Sequence, residues 1–82
     1  MAHTKDELFV IRLYETAHAS GNVENCFDKY QIGEKAHINP KAVDAICKLL
    51  VQANFIKNKR GESEVYLTPH GEKLALRLLE EN

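Results

Sequence analysis

The chain has 82 residues, of which 44% are hydrophobic and 28% are charged, and its formal net charge is −1. This length suits one small domain with a modest core, and the composition favours a folded chain over a disordered one. No apolar run approaches the roughly 18–20 residues of a membrane span, and the first residues, MAHTKDE, lack the apolar segment of a signal peptide. We therefore expect a single domain over residues 1–82, without a membrane segment, in the cytoplasm.

Cysteine and histidine are too scattered to indicate a metal site or a disulfide framework. Cys26 and Cys47 lie far apart, and we interpret both as reduced thiols of a cytoplasmic protein, with a disulfide between them as the alternative. No two of the four histidines have the spacing of metal ligands; they are His3, His18, His37 and His70. The sequence therefore predicts no metal and no cofactor, and it contains no pattern that indicates a small-molecule ligand.

Residues 6–19 have the apolar spacing of an α-helix, and Gly21 follows them as a residue suited to a left-handed cap. The apolar stripe of this helix is wide and comprises Leu8, Phe9, Val10, Ile11, Leu13, Tyr14 and Ala17. An arc of this width fits either a well-buried helix or a helix shared with a second copy of the chain. Burial is the simpler interpretation.

A second helix is predicted over residues 29–36, after a loop that contains a short strand near residues 25–27. Asp28 can cap this helix, because its side-chain oxygen can accept a hydrogen bond from a free backbone N–H of the first turn. Gly33 inside the helix costs about 1 kcal/mol relative to alanine. This glycine either allows a neighbouring helix to approach closely or is a simple imperfection.

The third helix is predicted to begin with Asn39 as N-cap and Pro40 at the first helical position, and to end near Asn54. Its apolar residues predict one buried face, formed by Val43, Ile46, Cys47, Leu50 and Ala53. The opposite face is predicted to be exposed and is formed by Lys41, Asp44, Ala45, Lys48 and Gln52. If that face meets only solvent, Asp44 can form helix ion pairs with Lys41 and Lys48, each worth about 0.2–0.5 kcal/mol.

Two short runs, residues 55–59 and 64–68, flank a gap that contains glycine and predict a β-hairpin. The short strand near Cys26 can add a third strand to it. Thr68 as N-cap and Pro69 at the first position begin the last helix. Its core-facing residues are predicted to be Leu74, Ala75, Leu78 and Leu79, with Leu76 at the edge of the stripe.

Positive charge is concentrated in the middle of the chain. Residues 28–60 carry seven basic and three acidic side chains, a net charge of +4, whereas the remainder has a net charge of −5. A phosphate backbone responds to local charge more than to the total, because salt screens charges beyond about 10 Å. The alternative is ordinary surface charge that happens to cluster.

Three segments together resemble the winged helix–turn–helix domain of bacterial regulators of the MarR, ArsR and PadR type. IGEKAHINPKAV (32–43) is similar to their helix–turn–helix core, and KLLVQANFIK (48–57) is similar to their passage from recognition helix to first wing strand. VYLTPHGEKL (65–74) is similar to their strand–Thr-Pro-x-Gly–helix segment. One departure is His37, which stands where these regulators usually have a glycine in the turn.

The resemblance implies a mainly α fold with a small β-hairpin wing, of the α+β class, in the order α-α-turn-α-β-β-α. The helix–turn–helix would span about 29–54, the wing about 55–68 and the C-terminal helix about 69–80. The resemblance also implies that the third helix enters the major groove of double-stranded DNA and that the wing lies on the backbone. The candidate DNA-binding residues are Asn39, Lys41, Asp44, Ala45, Lys48, Gln52, Lys57, Lys59 and Arg60.

A small DNA-binding transcriptional regulator is therefore the expected function. The alternative is a winged-helix module that binds a protein or dimerises without sequence-specific DNA binding, because a fold does not determine function. Candidate homodimer contacts, through the first and last helices, are Ile11, Leu76 and Leu79. An enzyme is not expected, since Ser20 and Ser63 lack the partners of a nucleophile. Glu62 and Glu64 lie on a hairpin predicted to be exposed, which does not suit general acid–base catalysis.

Overall fold

Four helices and three strands follow one another in the part of the chain that the structure describes, residues 3–22, 25–59, 61 and 63–80. The structure is a computed structural model. The helices are α1 (Lys5–Ala19), α2 (Lys29–Lys35), α3 (Pro40–Gln52) and α4 (Pro69–Glu80), and the strands are β1 (Phe27–Asp28), β2 (Ile56–Asn58) and β3 (Glu64–Leu67). The mainly helical α+β class and the order of the elements agree with the prediction. None of these described helices is both long and apolar enough to cross a membrane.

The three strands form one antiparallel sheet in the order β1-β3-β2. β2 and β3 form the predicted hairpin, in which Ile56 lies opposite Leu67. β1 pairs with the other edge of β3, where Phe27 lies opposite Val65, so the predicted third strand is present. Because side chains alternate along a strand, Val65 and Leu67 share one face of the sheet, and both are buried.

Three helices begin at the caps that the sequence predicts. The side-chain oxygens of Asp28, Asn39 and Thr68 accept backbone N–H groups of the following turn at 2.8, 2.9 and 3.0 Å. Thr68 also donates its hydroxyl to the backbone carbonyl of Asn54 at 2.6 Å, which ties the start of α4 to the end of α3. Each cap satisfies a backbone donor that its own helix leaves free, so these helix starts are encoded locally.

The hydrophobic core lies where α1 packs against the other helices and the sheet. Its largest fully buried side chains are Phe9, Val10, Leu13, Ile32, Val43, Ile56 and Val65. The wide apolar arc of α1 is explained by burial, as the simpler interpretation held. Ile11, predicted as a dimer contact, is only 3% exposed in the single chain. This burial corrects that assignment, because almost none of the side chain is accessible to a second copy.

Among the described residues, two other than glycine adopt the left-handed conformation, and each follows the end of a helix. His37 after α2 has φ = 60°, and Asn54 after α3 has φ = 65°. After His37, the backbone N–H of Ile38 donates to the carbonyl of Gly33 at 2.8 Å, which is the hydrogen bond of a Schellman helix end. The turn therefore needs a left-handed residue at position 37, and a histidine adopts this conformation at a cost that glycine avoids.

Candidate nucleic-acid interface

The third helix has the two faces that its sequence predicts. Its buried face is formed by Val43, Ile46, Cys47 and Leu50. Its exposed face comprises Lys41, Asp44, Ala45, Lys48 and Gln52. Ala53, predicted on the buried face, is exposed because it is the C-cap residue beyond the last helical residue, Gln52. The helix is thus anchored on one side and presents a mixed polar and cationic surface on the other.

Close approach of α2 and α3 holds this exposed face in place. Gly33 of α2 is buried, and a methyl group on it would overlap the side chain of Val43. The interpretation of Gly33 as a close-contact residue is therefore confirmed. Its penalty within the helix is accepted because a larger residue would push α3 away from the core.

Asp44 is held by two residues at the start of α2. Lys29 Nζ lies 3.1 Å from Asp44 Oδ1, and the Tyr30 hydroxyl donates to the same oxygen at 2.7 Å. The Lys29 side chain is only 11% exposed, and its ammonium lies 5.3 Å from the centroid of the Tyr30 ring. Lys41 and Lys48, which helix spacing allows as partners of Asp44, form no ion pair with it within the described residues. We name Lys29, Tyr30 and Asp44 the Asp44 cluster.

The contacts within the Asp44 cluster shift the pKa of all its members. The hydrogen bonds from Tyr30 and Lys29 lower the pKa of Asp44, and the bond with Asp44 raises the pKa of Tyr30. Burial lowers the pKa of Lys29, but the hydrogen bond with Asp44 and the nearby charges outweigh it, so this pKa is raised. At neutral pH the cluster holds one ammonium and one carboxylate. The positive charge of Lys29 therefore compensates the negative charge of Asp44 within the fold.

A groove of about 540 Å³ runs between α3 and the sheet. Lys48 and Gln52 line it from the helix, and Asn58 of β2 and Ser63 of the hairpin line it from the sheet. Asn58 and Ser63 were not among the predicted site residues. Strand alternation could have found Asn58, since it lies two residues after the buried Ile56 and so on the same side of the strand. The groove thus places hydrogen-bonding groups of the wing opposite the exposed face of α3.

Neither of the two described wing cations, Lys57 and Lys59, lines this groove. Lys59 is exposed at the end of the hairpin, where its backbone N–H donates to the carbonyl of Glu64 at 2.9 Å. Lys57 lies opposite Tyr66 and lines a separate hollow with His70 on the other side of the strand. The structure therefore does not bring Lys57 together with the α3 residues. Arg60 lies outside the described residues, so its position relative to the groove stays a prediction.

Two further residues, one in the cap of α3 and one in the helix, bear on which groups the exposed face can offer a partner. Asn39 uses its side-chain oxygen to accept the Ala42 backbone N–H at 2.9 Å, so that oxygen is occupied by the cap. Leu49, which was not among the predicted site residues, is 60% exposed. It lies one helical turn after Ala45, which is also exposed. Helical spacing places Leu49 about 40° from Ala45 and outside the buried stripe, so the sequence could have identified its exposure.

No protein-family model and no curated protein matches the chain. A solved structure of a MarR family regulator from Neisseria meningitidis is similar to it, with 28% sequence identity and a TM-score of 0.64. The match covers 92% of this chain and 52% of the regulator, so the chain spans about half the length of that structure. The chain therefore has the winged helix–turn–helix fold of a MarR-like regulator.

Proposed function

We propose that the chain is a DNA-binding module of a transcriptional regulator, in which α3 enters the major groove and the wing lies on the backbone. The observation that carries the proposal is the cationic exposed face of α3. Lys41 and Lys48 are exposed there and form no ion pair within the described residues. The likeness to a MarR family regulator supports the same placement of the helix.

The proposed contacts fall into two groups. Lys41, Lys48 and the wing residues Lys59 and Arg60 bind phosphates, which positions the helix without reading sequence. Gln52 reaches a base edge, because its amide can pair with adenine in the major groove. Asn39 cannot make the same two-pronged contact while its oxygen caps α3, so we assign it to positioning the helix. Asp44 likewise has a structural role, since its carboxylate is engaged by α2.

A salt titration of binding to random-sequence duplex DNA tests the proposal. The logarithm of the binding constant should fall linearly with the logarithm of salt concentration, because each phosphate contact releases a condensed counterion. Lys48→Ala should lower the slope by about one unit. The matched control is Lys73→Ala, which removes an exposed lysine of α4 and should leave the slope unchanged. Absence of binding at low salt, or equal effects of the two variants, would contradict the proposal.

A second candidate is a contact between two copies of the chain through the outer side of α4. Leu76 is 42% exposed and Leu79 is partly exposed, so these two remain available after Ile11 is removed from the predicted set. A two-fold dimer would direct two α3 helices toward major grooves about 34 Å apart. Sedimentation at rising protein concentration tests this contact, and a monomer throughout would eliminate it. The proposed DNA contacts do not depend on that result.

A further inference from the structure

Leu49 is the most exposed large apolar residue of the described chain, at 60%, and it lies on α3. Its exposed neighbour Ala45 precedes it by one turn, so their β-carbons are about 5–6 Å apart. The two residues lie about 40° apart around the helix axis and form one continuous strip. We call Ala45 and Leu49 the apolar edge of α3. It borders the side of the exposed face away from the Asp44 cluster.

We propose that the apolar edge reads the C5 methyl group of thymine, with Leu49 as a specificity-determining residue. This inference rests on the proposed function, because it requires α3 to lie in the major groove. Thymine is the base that presents a methyl group in that groove, and an apolar side chain gains by removing that methyl from water. The preferred target is therefore a site with A·T base pairs under the middle of α3.

The charges around the apolar edge favour DNA as its occupant. Lys48 is adjacent to Leu49 in sequence, and Gln52 lies one turn beyond it on the same exposed side. None of the residues three or four positions from Leu49 is acidic. Phosphates that bind the lysines would hold the apolar edge against the base pairs. Gln52 adds to the same preference, because its amide can pair with the adenine of an A·T pair.

Leu76 of α4 is 42% exposed, but its surroundings carry both signs of charge. Glu72 and Glu80 lie four residues before and after it, Lys73 lies three residues before it, and Arg77 follows it. Leu76 is also a candidate contact between two copies of the chain, so its removal would change DNA binding through assembly. The control is therefore Lys73→Ala, because Lys73 is exposed on α4 and belongs to neither proposed contact.

Uracil substitution isolates the methyl group, since uracil keeps the pairing groups of thymine and lacks only its C5 methyl. The tightest-binding duplex is selected from a random pool made with thymine, and it is resynthesised with uracil at one thymine at a time. The full chain should lose about fourfold in affinity at each thymine whose methyl contacts the apolar edge. Substitution at the remaining thymines should leave the affinity unchanged.

Three variants assign any methyl preference to Leu49. Leu49→Ala should bind the thymine and uracil duplexes equally, Leu49→Met should restore the preference, and Lys73→Ala should keep it. Equal binding of both duplexes by the unmodified chain, or a preference that survives Leu49→Ala, overturns the inference. Salt-dependent binding that needs Lys48 but ignores the methyl separates that failure from failure of the proposed function. Absence of binding to any duplex at low salt overturns both and points to a protein as the occupant of this face.

Discussion

The two edges of the exposed face of α3 differ in whether the fold supplies their partners. On one edge, Asp44 is held by Lys29 and Tyr30 of α2. On the other edge, Leu49 is 60% exposed, and Ala45 beside it is exposed as well. An acidic residue that looks free on a helical projection is thus engaged, while an apolar residue that would normally be buried is free. We infer that the apolar edge is the one left available for a binding partner.

The largest expected effect is a difference in stability between alanine variants of two adjacent leucines, one on the buried side of α3 and one on its exposed side. Leu50 is 4% exposed, and Leu50→Ala should lower the free energy of unfolding by about 2–5 kcal/mol through lost burial and a residual cavity. Leu49→Ala should change it by no more than about 0.5 kcal/mol, because the side chain already contacts water. Urea unfolding of both variants measures the difference. Similar losses in the two variants would show that the apolar edge packs within the fold.

The next effect concerns Cys47, which lies on α3 behind the Asp44 cluster. Burial raises the pKa of its thiol from 9.0 to about 11. A raised folded-state pKa gives stability that is complete below pH 9 and is lost as pH rises toward 11, because the unfolded chain releases the proton first. Because one pKa unit corresponds to about 1.4 kcal/mol, that loss should be about 2–3 kcal/mol.

Urea unfolding at a series of alkaline pH values measures the contribution of Cys47. Cys47→Ala removes the titrating group, so its free energy of unfolding should fall less steeply over this range. Lys29 and Tyr30 also have raised pKa values, so their contributions to stability are likewise lost as the pH rises. These two residues account for the pH dependence that remains in Cys47→Ala. An unchanged slope in Cys47→Ala would indicate that solvent reaches the thiol in the folded state.

The smallest expected effect is a shift in titration within the Asp44 cluster. Tyr30→Phe removes the hydroxyl that donates to Asp44, so the pKa of Asp44 should rise toward its ordinary value. The lowered pKa of Asp44 stabilises the fold at pH values above the ordinary pKa of the carboxyl, and this stability is lost as the pH falls. The variant lacks part of this stability, so its free energy of unfolding at neutral pH should be lower. An NMR titration of the Asp44 carboxyl measures this change directly. An unchanged pKa of Asp44 would show that the hydrogen bond from Tyr30 does not form in solution.

The helix starts and the two faces of α3 could be predicted because their causes are local. Asp28, Asn39 and Thr68 each satisfy a backbone donor within three residues of themselves, and Pro40 suits the first helical position. Apolar spacing along α3 assigned four of its five predicted core residues correctly. The resemblance to the regulators marked position 37 as a turn site, and the structure has His37 left-handed there.

The candidate site could be predicted only in part, because its members come from separate elements. The groove brings Asn58 and Ser63 of the wing opposite Lys48, and no spacing within α3 indicates those partners. Lys57 was grouped with the other wing cations by charge, whereas strand alternation places it on the opposite side of β2 from Asn58. Grouping residues by charge alone thus assigned more residues to one surface than actually share it.

By itself, the sequence determined the element types, their caps and the winged-helix order, since periodicity and capping act over a few residues. Only the tertiary structure decided that Asp44 is paired with α2 and that Ile11 is buried within the single chain. Residues 30 and 44 are joined by a hydrogen bond across two helices, and its geometry depends on how closely those helices pack. Close packing at Gly33, where a methyl group would overlap Val43, lets α2 and α3 approach closely enough for this bond.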